Sequence, residues 1–327
     1  MVTIKDVAKK AGINISTVSR VINNKGYISE KTRAIVYKVI EELGYQPNEV
    51  ARSLLKRKSN LLGVILPNVA YPFYAQLTSS IEYYAYKSGY KVMICNSYGD
   101  AMKENDYINM LKRSQVDGII MGGHTMETFK YENLERPIVT IDRDISKDIP
   151  NISSDHYNGG VLATNLLIEK GCRKLAHIRG ILIKHFPVAN RSQAFEDVAS
   201  EKKISYIISE IDFNFNDMDI EEYEKSIFEL FNDHPDIDGV FANNDMIAAA
   251  IINVASKLGR VIPTDLKVIG YDDVLISSLL KPKLTSVRQP IKRIAELVVQ
   301  TIIDQLEGTP VKSETILPVE LIERETT

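Results

Sequence analysis

The sequence predicts an α/β protein: an N-terminal helix-turn-helix head and hinge helix, followed by a body of two doubly wound parallel-sheet lobes. Three observations predict it. The first 58 residues hold short helical patterns around a glycine turn. From Leu61 onward, short apolar runs alternate with amphipathic stretches. Charge also divides between the two parts. Residues 1–58 carry 12 Lys and Arg against 5 Asp and Glu, a net +7, and the remaining 28 against 38 leave the body at −10.

Within the head, Thr3 and Asp6 have the spacing of an N-cap and its reciprocal acid. Ile4, Val7, Ala8 and Ala11 then share one helix face. Gly12 supplies a turn, and a second pattern, Val18, Val21 and Ile22, runs to Asn23. Two short helices around such a turn, with a small residue at Ala8 for close contact, meet the needs of a helix-turn-helix, whose second helix enters a major groove. A third helix is expected from Glu30 to Leu43, capped by Ser29 and stopped by Gly44. Pro47 sits near the first position of a further short helix, Asn48 to Leu55, which is too short to be stable alone. It runs into Lys56, Arg57 and Lys58, a basic cluster suited to the helix dipole and to nearby phosphates. A basic head on an acidic body implies that the head alone is drawn to a polyanion, with an affinity that falls steeply with salt. The expected divisions are a head over 1–46, a hinge over 47–60 and a body over 61–327.

The body reads as strands at Leu61–Leu66, Lys91–Cys95, Gly118–Met121, Ile138–Ile141, Leu175–Ile178, Gly239–Ala242 and Leu266–Gly270. Helical stretches separate most of them: Phe73–Ser88, Met102–Arg113, Gly159–Glu169, Tyr223–Asn232, Asp245–Leu258 and Ile291–Leu306. Short buried strands alternating with helices imply parallel sheets. A body of this length splits into two doubly wound lobes with a ligand cleft between the strand C-termini. The chain is expected to cross between lobes near 155–160, 285–290 and 313–318. This gives an N-lobe of about 61–157 plus 290–313 and a C-lobe of about 158–287 plus 316–327.

Other classes find little support. Cys95 and Cys172 are too few for a disulfide framework or a zinc cluster. The charged start of the chain lacks an apolar signal region, and no run of 18 apolar residues predicts a membrane span. A cytoplasmic, nucleoid-associated protein is expected, with no membrane partner. G-x-G-x-x-G, P-loop, H-E-x-x-H and G-x-S-x-G motifs do not occur, so neither an enzyme nor a cofactor is expected. The five histidines, His124, His156, His177, His185 and His234, lack metal-ligand spacing and read as ordinary surface or core residues.

Polar residues instead gather where strands end. Phe73 and Tyr74 follow the first strand, Asp142 and Arg143 the fourth. Asn243, Asn244 and Asp245 follow Gly239–Ala242, and Asp272 and Asp273 follow Leu266–Gly270. Arg191 is expected on a later loop, and Arg288 and Gln289 lie at the second crossing. Aromatic platforms with Asp, Asn, Arg and Gln groups are the composition that recognises a sugar, with its flat apolar faces and ring of hydroxyls. Asp273 reads as structural.

Residues 3 to 23 together with 45 to 54, Tyr-Gln-Pro-Asn-Glu-Val-Ala-Arg-Ser-Leu, resemble the LacI/GalR family of bacterial transcription regulators, and the resemblance covers the whole chain. It implies a homodimer that reads a pseudo-palindromic duplex operator. By that resemblance, Ile15, Ser16 and Arg20 read base edges, with Arg20 suited to guanine. Thr3, Asn14, Thr17, Ser19 and Asn23 anchor phosphates. In the hinge, Asn48, Ala51 and Leu54 meet the DNA. Leu54 wedges into a minor-groove step, and Val50 and Ala51 line the contact between paired hinge helices. The body resembles the periplasmic sugar-binding fold, and its polar set is similar to that of ribose-type binding proteins. There Phe73, Tyr74 and Phe213 would stack on the sugar, while Asp142, Arg143, Arg191, Asn244, Asp272 and Gln289 would hold its hydroxyls. A ribose-like sugar is the expected effector. Sucrose- or fructose-responsive regulators share much of the pattern, and a catabolite-control regulator driven by a phosphoprotein is the remaining alternative.

Overall fold

The computed structural model describes residues 2–46, 58–123, 136–180, 186–211 and 220–327. The expected site residues Asn48, Ala51, Leu54 and Phe213 lie outside them. The chain divides into two compact units, Met1–Ser59 and Asn60–Thr327.

Among the described residues, the first unit holds three helices: α1 (Ile4–Ala11), α2 (Ile15–Ile22) and α3 (Glu30–Leu43). At the start of α1, the Thr3 backbone N–H and hydroxyl both donate to Asp6 Oδ2, at 2.8 and 2.7 Å. These bonds hold the Asp6 carboxyl below its ordinary pKa. Gly12 ends α1 at φ +64, a left-handed conformation that glycine adopts without steric cost. The Asn14 side-chain Oδ1 accepts from the Ser16 N–H at 3.1 Å and caps α2. Ser29 accepts from the Thr32 N–H at 3.2 Å and caps α3. Helices this short are marginal alone. Their stability comes from a shared core of Val7, Ala8, Val18, Val21, Val36 and Val39.

In the second unit, each lobe is built on a six-stranded sheet. The N-lobe strands are β1 (Leu61–Leu66), β2 (Lys91–Asn96), β3 (Gly118–Gly122), β4 (Ile138–Ile141), β5 (Asn151–Ser154) and a late strand, β11 (Glu314–Leu317). They lie in the order β11-β5-β4-β3-β1-β2, all parallel. Among the described residues, three helices belong to this lobe: α4 (Pro72–Lys87), α5 (Ala101–Arg113) and α11 (Ile291–Glu307). On one face Leu62, Val64, Leu77, Ile81, Val298 and Ile302 are buried together. On the other, Ile65, Ile119 and Leu111 are.

The C-lobe strands are β6 (Lys174–Gly180), β7 (Ser205–Ile211), β8 (Gly239–Ala242), β9 (Lys267–Asp272), β10 (Thr285–Arg288) and β12 (Glu320–Ile322). Their order is β12-β10-β9-β8-β6-β7, with β12 antiparallel to β10. Around them lie α6 (His156–Glu169), α7 (Asn190–Glu201), α8 (Ile220–Asp233), α9 (Asp245–Lys257) and the short α10 (Leu275–Leu279). In each lobe the first strand lies between the second and third, so chain direction along the sheet reverses beside it. Open α/β sheets bind ligands at that point, outside the strand C-termini.

The chain crosses between lobes at Asp155, at Gln289-Pro290 and at Pro318-Val319. Among the differences from the sequence expectation, two bear on the lobes and the site. Glu314–Leu317 pairs parallel with β5, so the N-lobe runs past 313 and the last C-lobe segment begins after 317, not at 316. Arg191 does not sit on a loop but in the first turn of α7, and it is buried.

Candidate functional site

In the head, α2 presents Ile15, Ser16 and Arg20 as exposed residues, while Val18 and Val21 fill the core. Ile15 is 42% exposed, a high value for an isoleucine one turn from a buried valine. Exposure of an apolar residue among polar ones on one helix face is what contact with a base edge and its methyl group requires. Thr3 and Asn14 are exposed, and Thr17, Ser19 and Asn23 half-buried. Asn23 is partly turned inward: its amide nitrogen donates to the Ser19 carbonyl at 2.8 Å. Tyr27, 98% exposed between α2 and α3, was not singled out from the sequence, because a lone tyrosine in a polar turn carries no periodic signal.

In the body, the strand-end residues converge. Asp142 leaves β4 at φ +51 and Asp272 ends β9 at φ +104, both in the half of conformational space that non-glycine residues avoid. Strained backbone at two facing strand ends is a mark of sites where side-chain aim outweighs local comfort. The Ser154 N–H donates to Asp142 Oδ1 at 3.3 Å, and the Ser154 hydroxyl donates to Gln289 Oε1 at 2.7 Å. Gln289 Nε2 in turn donates to Asp272 Oδ1 at 2.6 Å. Arg191 Nη2 lies 3.9 Å from that same Asp272 oxygen. Its Nη1 donates to the Asn243 carbonyl at 2.7 Å, and its guanidinium stacks 3.6 Å over the Tyr271 ring. Arg191 Nε donates to His156 Nδ1 at 3.1 Å, and His156 Nε2 lies 2.8 Å from Asp142 Oδ1. Asp142, His156, Arg191, Asp272, Gln289 and Ser154 thus close a ring of polar contacts through the first two crossings. Neither His156 nor Ser154 was singled out from the sequence as part of the site. The first looked like a lone histidine, the second part of a polar stretch without an apolar run.

Tyr74 belongs to the same neighbourhood. Burial, and then the charges of Asp142 and Asp272, push its phenol pKa up, with Arg191 opposing. Phe73 meets Tyr74 edge-to-face at 5.3 Å, and both pack on the N-lobe core. Arg143 is buried, and its Nη1 donates to Glu104 Oε1 of α5 at 2.8 Å, so this cation is balanced within the N-lobe. Asn244 caps α9 by accepting from the Ile247 N–H at 2.9 Å, which commits its side-chain Oδ1 to the helix. Asp273 binds Arg288 Nε at 2.7 Å and Arg324 Nη2 at 2.6 Å, a structural role.

Desolvation raises the Asp272 carboxyl to about 6, against the opposing pull of Arg191. Desolvation likewise lowers the His156 imidazole, with Asp142 opposing. The chemistry on offer is hydrogen bonding to a polar, compact ligand beside aromatic rings. Among the described residues, no group of His, Cys, Asp and Glu has the geometry to hold a metal ion. None of the described helices is long and apolar enough to cross a membrane.

A helix-turn-helix unit joined to a two-lobed body with a polar inter-lobe site defines a ligand-responsive DNA-binding regulator. Residues 3–48 match the family of bacterial regulatory proteins of the lacI type, and residues 164–327 match the periplasmic binding protein-like domain. Two relatives are similar along the full length. The ribose operon repressor of Halalkalibacterium halodurans is 38% identical, over 100% of this chain and 97% of its own. The sucrose operon repressor of Streptococcus mutans is 39% identical, over 98% of each. Among solved structures, the lac repressor dimer bound to operator and the anti-inducer ONPF superposes with a TM-score of 0.88 at 25% identity, over 99% of this chain and 98% of that one. A LacI-type regulator from Alkaliphilus metalliredigens complexed with D-xylulofuranose gives 0.73 at 35% identity, over 82% and 99%. The chain belongs to the LacI family.

Proposed function

We propose that the protein represses a sugar-utilisation operon and is released from its operator by a small sugar, ribose being the first candidate. The observation that carries this reading is the ring of Asp142, His156, Arg191, Asp272, Gln289 and Ser154 where the two lobes meet. Carboxylates, an amide and a guanidinium at facing strand ends suit a ligand that is hydroxyl on every side. Phe73 and Tyr74 offer apolar faces to the ring, and Phe213 is proposed to join them. Arg143 and Asn244 complete the set.

In the head, Ile15, Ser16 and Arg20 read bases, and Thr3, Asn14, Thr17, Ser19 and Asn23 fix the register on phosphates. Asn48, Ala51 and Leu54 engage the minor groove through the hinge. Two copies bind one pseudo-palindrome, the symmetry of the homodimer matching that of the operator. The sugar acts as a switch because it binds the closed, operator-incompetent arrangement more tightly; equal affinity for both states would shift nothing.

Identity near 39% with a sucrose operon repressor favours a second reading, in which sucrose or fructose is the effector. The test is release of a pseudo-palindromic duplex, selected from a random library, followed by fluorescence anisotropy. D-ribose, D-xylulose, D-fructose, sucrose and ribose 5-phosphate are titrated separately. Release by D-ribose at the lowest concentration is expected. Release by sucrose or fructose alone moves the assignment to the second reading, and tightening by a phosphoprotein with no response to any sugar removes both.

A further inference from the structure

Among the polar side chains that join the lobes, His156 touches residues of both. It is the first residue of α6, which packs in the C-lobe directly after the crossing at Asp155. Its Nε2 lies 2.8 Å from Asp142 Oδ1 of the N-lobe. Its Nδ1 receives Arg191 Nε at 3.1 Å and lies 3.2 Å from the Tyr271 hydroxyl, both from the C-lobe. An arginine Nε–H can only donate, so Nδ1 is the accepting nitrogen. The ring proton therefore sits on Nε2 and is donated to Asp142. His156 is only 2% exposed, so bulk water does not compete for either bond.

The surroundings are shaped to keep it there. Gly159, one helical turn along, has no side chain where a Cβ would stand 2.4 Å from the Tyr271 hydroxyl. Asp155 caps α6 by accepting from the Asn158 N–H at 3.0 Å, which fixes the helix end from which His156 projects. Asp142 holds its aim at the expense of a left-handed backbone.

We propose that His156 is a positioning residue that ties sugar binding to lobe closure: its Nε2–H tautomer clasps Asp142 of the N-lobe and Arg191 of the C-lobe at once. The inference rests on the sugar-cleft reading above and adds how the lobes are held around the ligand. His156 moves with α6 and hence with the C-lobe. Opening the lobes lengthens its bond to Asp142 and gives up that charge-assisted hydrogen bond. The closed arrangement is favoured by that bond, and a ligand selecting the closed arrangement gains from it. Removing the imidazole therefore weakens sugar binding, yet leaves operator binding unchanged or tighter. A general folding defect would weaken both.

The test compares full-length wild type, His156→Leu and His156→Gln, each checked by a thermal melt. Glutamine keeps one donor and one acceptor, so it is the conservative variant. D-ribose, D-xylulose, D-fructose and sucrose are titrated calorimetrically, and the tightest binder to wild type is used throughout. A loss of about tenfold or more is expected in His156→Leu, with His156→Gln recovering to within about threefold of wild type, the size of a buried hydrogen bond to a charged partner. Operator affinity without sugar is measured on the same samples. Independently of any ligand, nitrogen-15 imidazole spectra assigned through His156→Gln should show a protonated Nε2 and a bare, accepting Nδ1. The proposal is overturned if His156→Leu binds the sugar like wild type, if His156→Gln does no better than His156→Leu, or if Nδ1 carries the proton. Should none of the four sugars bind wild type, the sugar reading fails and the coupling with it, while the spectra still report on the clasp.

Discussion

The C-lobe buries a second histidine for a different purpose. His177 on β6 donates from Nδ1 to the Phe241 carbonyl at 2.9 Å and accepts from the Ser192 hydroxyl at Nε2, 2.8 Å away. Its ring stacks on Phe241 at 4.8 Å. Desolvation, set against the Phe241 bond, lowers its pKa from 6.5 to about 3. A depressed folded-state pKa means that the stability contribution is present above the unfolded value and is lost as pH falls from about 6.5 toward 3. At pH 4.5 the loss from this residue alone is about 2.5 kcal/mol. Asp272 works in the opposite sense: raised to about 6, its contribution is full below the unfolded carboxylate value and is lost as pH rises through 6. The informative quantity is thus a difference between proteins. Urea midpoints of wild type should fall between pH 7 and 4.5, and those of His177→Gln should fall less. Parallel slopes would mean that His177 is not held neutral. Neither buried histidine was legible in the sequence, because nothing local separates a histidine on an apolar strand from one on a surface loop. The aspartates were legible: each follows an apolar strand, and strand ends are where an open α/β sheet gathers its ligand groups.

At the scale of elements, the join between α6 and α7 shows what sequence patterns reveal and what they miss. Helix α6 carried an apolar pattern and was expected. Helix α7 was not, although Ala194, Phe195, Val198 and Ala199 have helical spacing and are all buried. Its polar first turn hid them, and with it the setting of Arg191. Strands Asn151–Ser154 and Thr285–Arg288 were missed for another reason. They are short and partly polar, and their pairing with neighbours defines them more than their own residues do. The two helices meet closely at Gly160, where a Cβ would stand 2.5 Å from the Arg191 carbonyl oxygen and 2.8 Å from Ala194 Cβ. Both obstacles are backbone or nearly so and cannot swing aside. Alanine is the better helix former by about 1 kcal/mol. Overpacking costs about 1–3 kcal/mol and should win. Gly160→Ala is expected to lower the urea midpoint and, by pushing the Arg191 backbone, to weaken sugar binding as well. A raised midpoint would show that the helices can part without loss.

For the whole molecule, charge and shape make separable predictions about the operator. The head carries +7 and the body −10, so long-range attraction to DNA is confined to one end of the chain. If two heads neutralise on the order of 6–10 phosphates, operator affinity falls by about 10³–10⁵ between 50 and 200 mM salt. Leu54 adds nothing to that electrostatic part, because a leucine wedge holds no counterions back. As the proposed wedge, it would contribute to the deformed minor-groove step, and deformation depends on the sequence being bent. Leu54→Ala should therefore lower affinity for the selected pseudo-palindrome much more than for random duplex. The slope of log affinity against log salt should stay that of wild type. Arg20→Ala, in contrast, should relax the base preference at its contact by about 1–3 kcal/mol. Anisotropy titrations of both duplexes at four salt concentrations separate these effects. Equal losses on specific and random DNA in Leu54→Ala, or a changed salt slope, would mean that the hinge acts by general attraction and not by wedging, and the coupling of lobe closure to operator release would then have to run through the heads themselves.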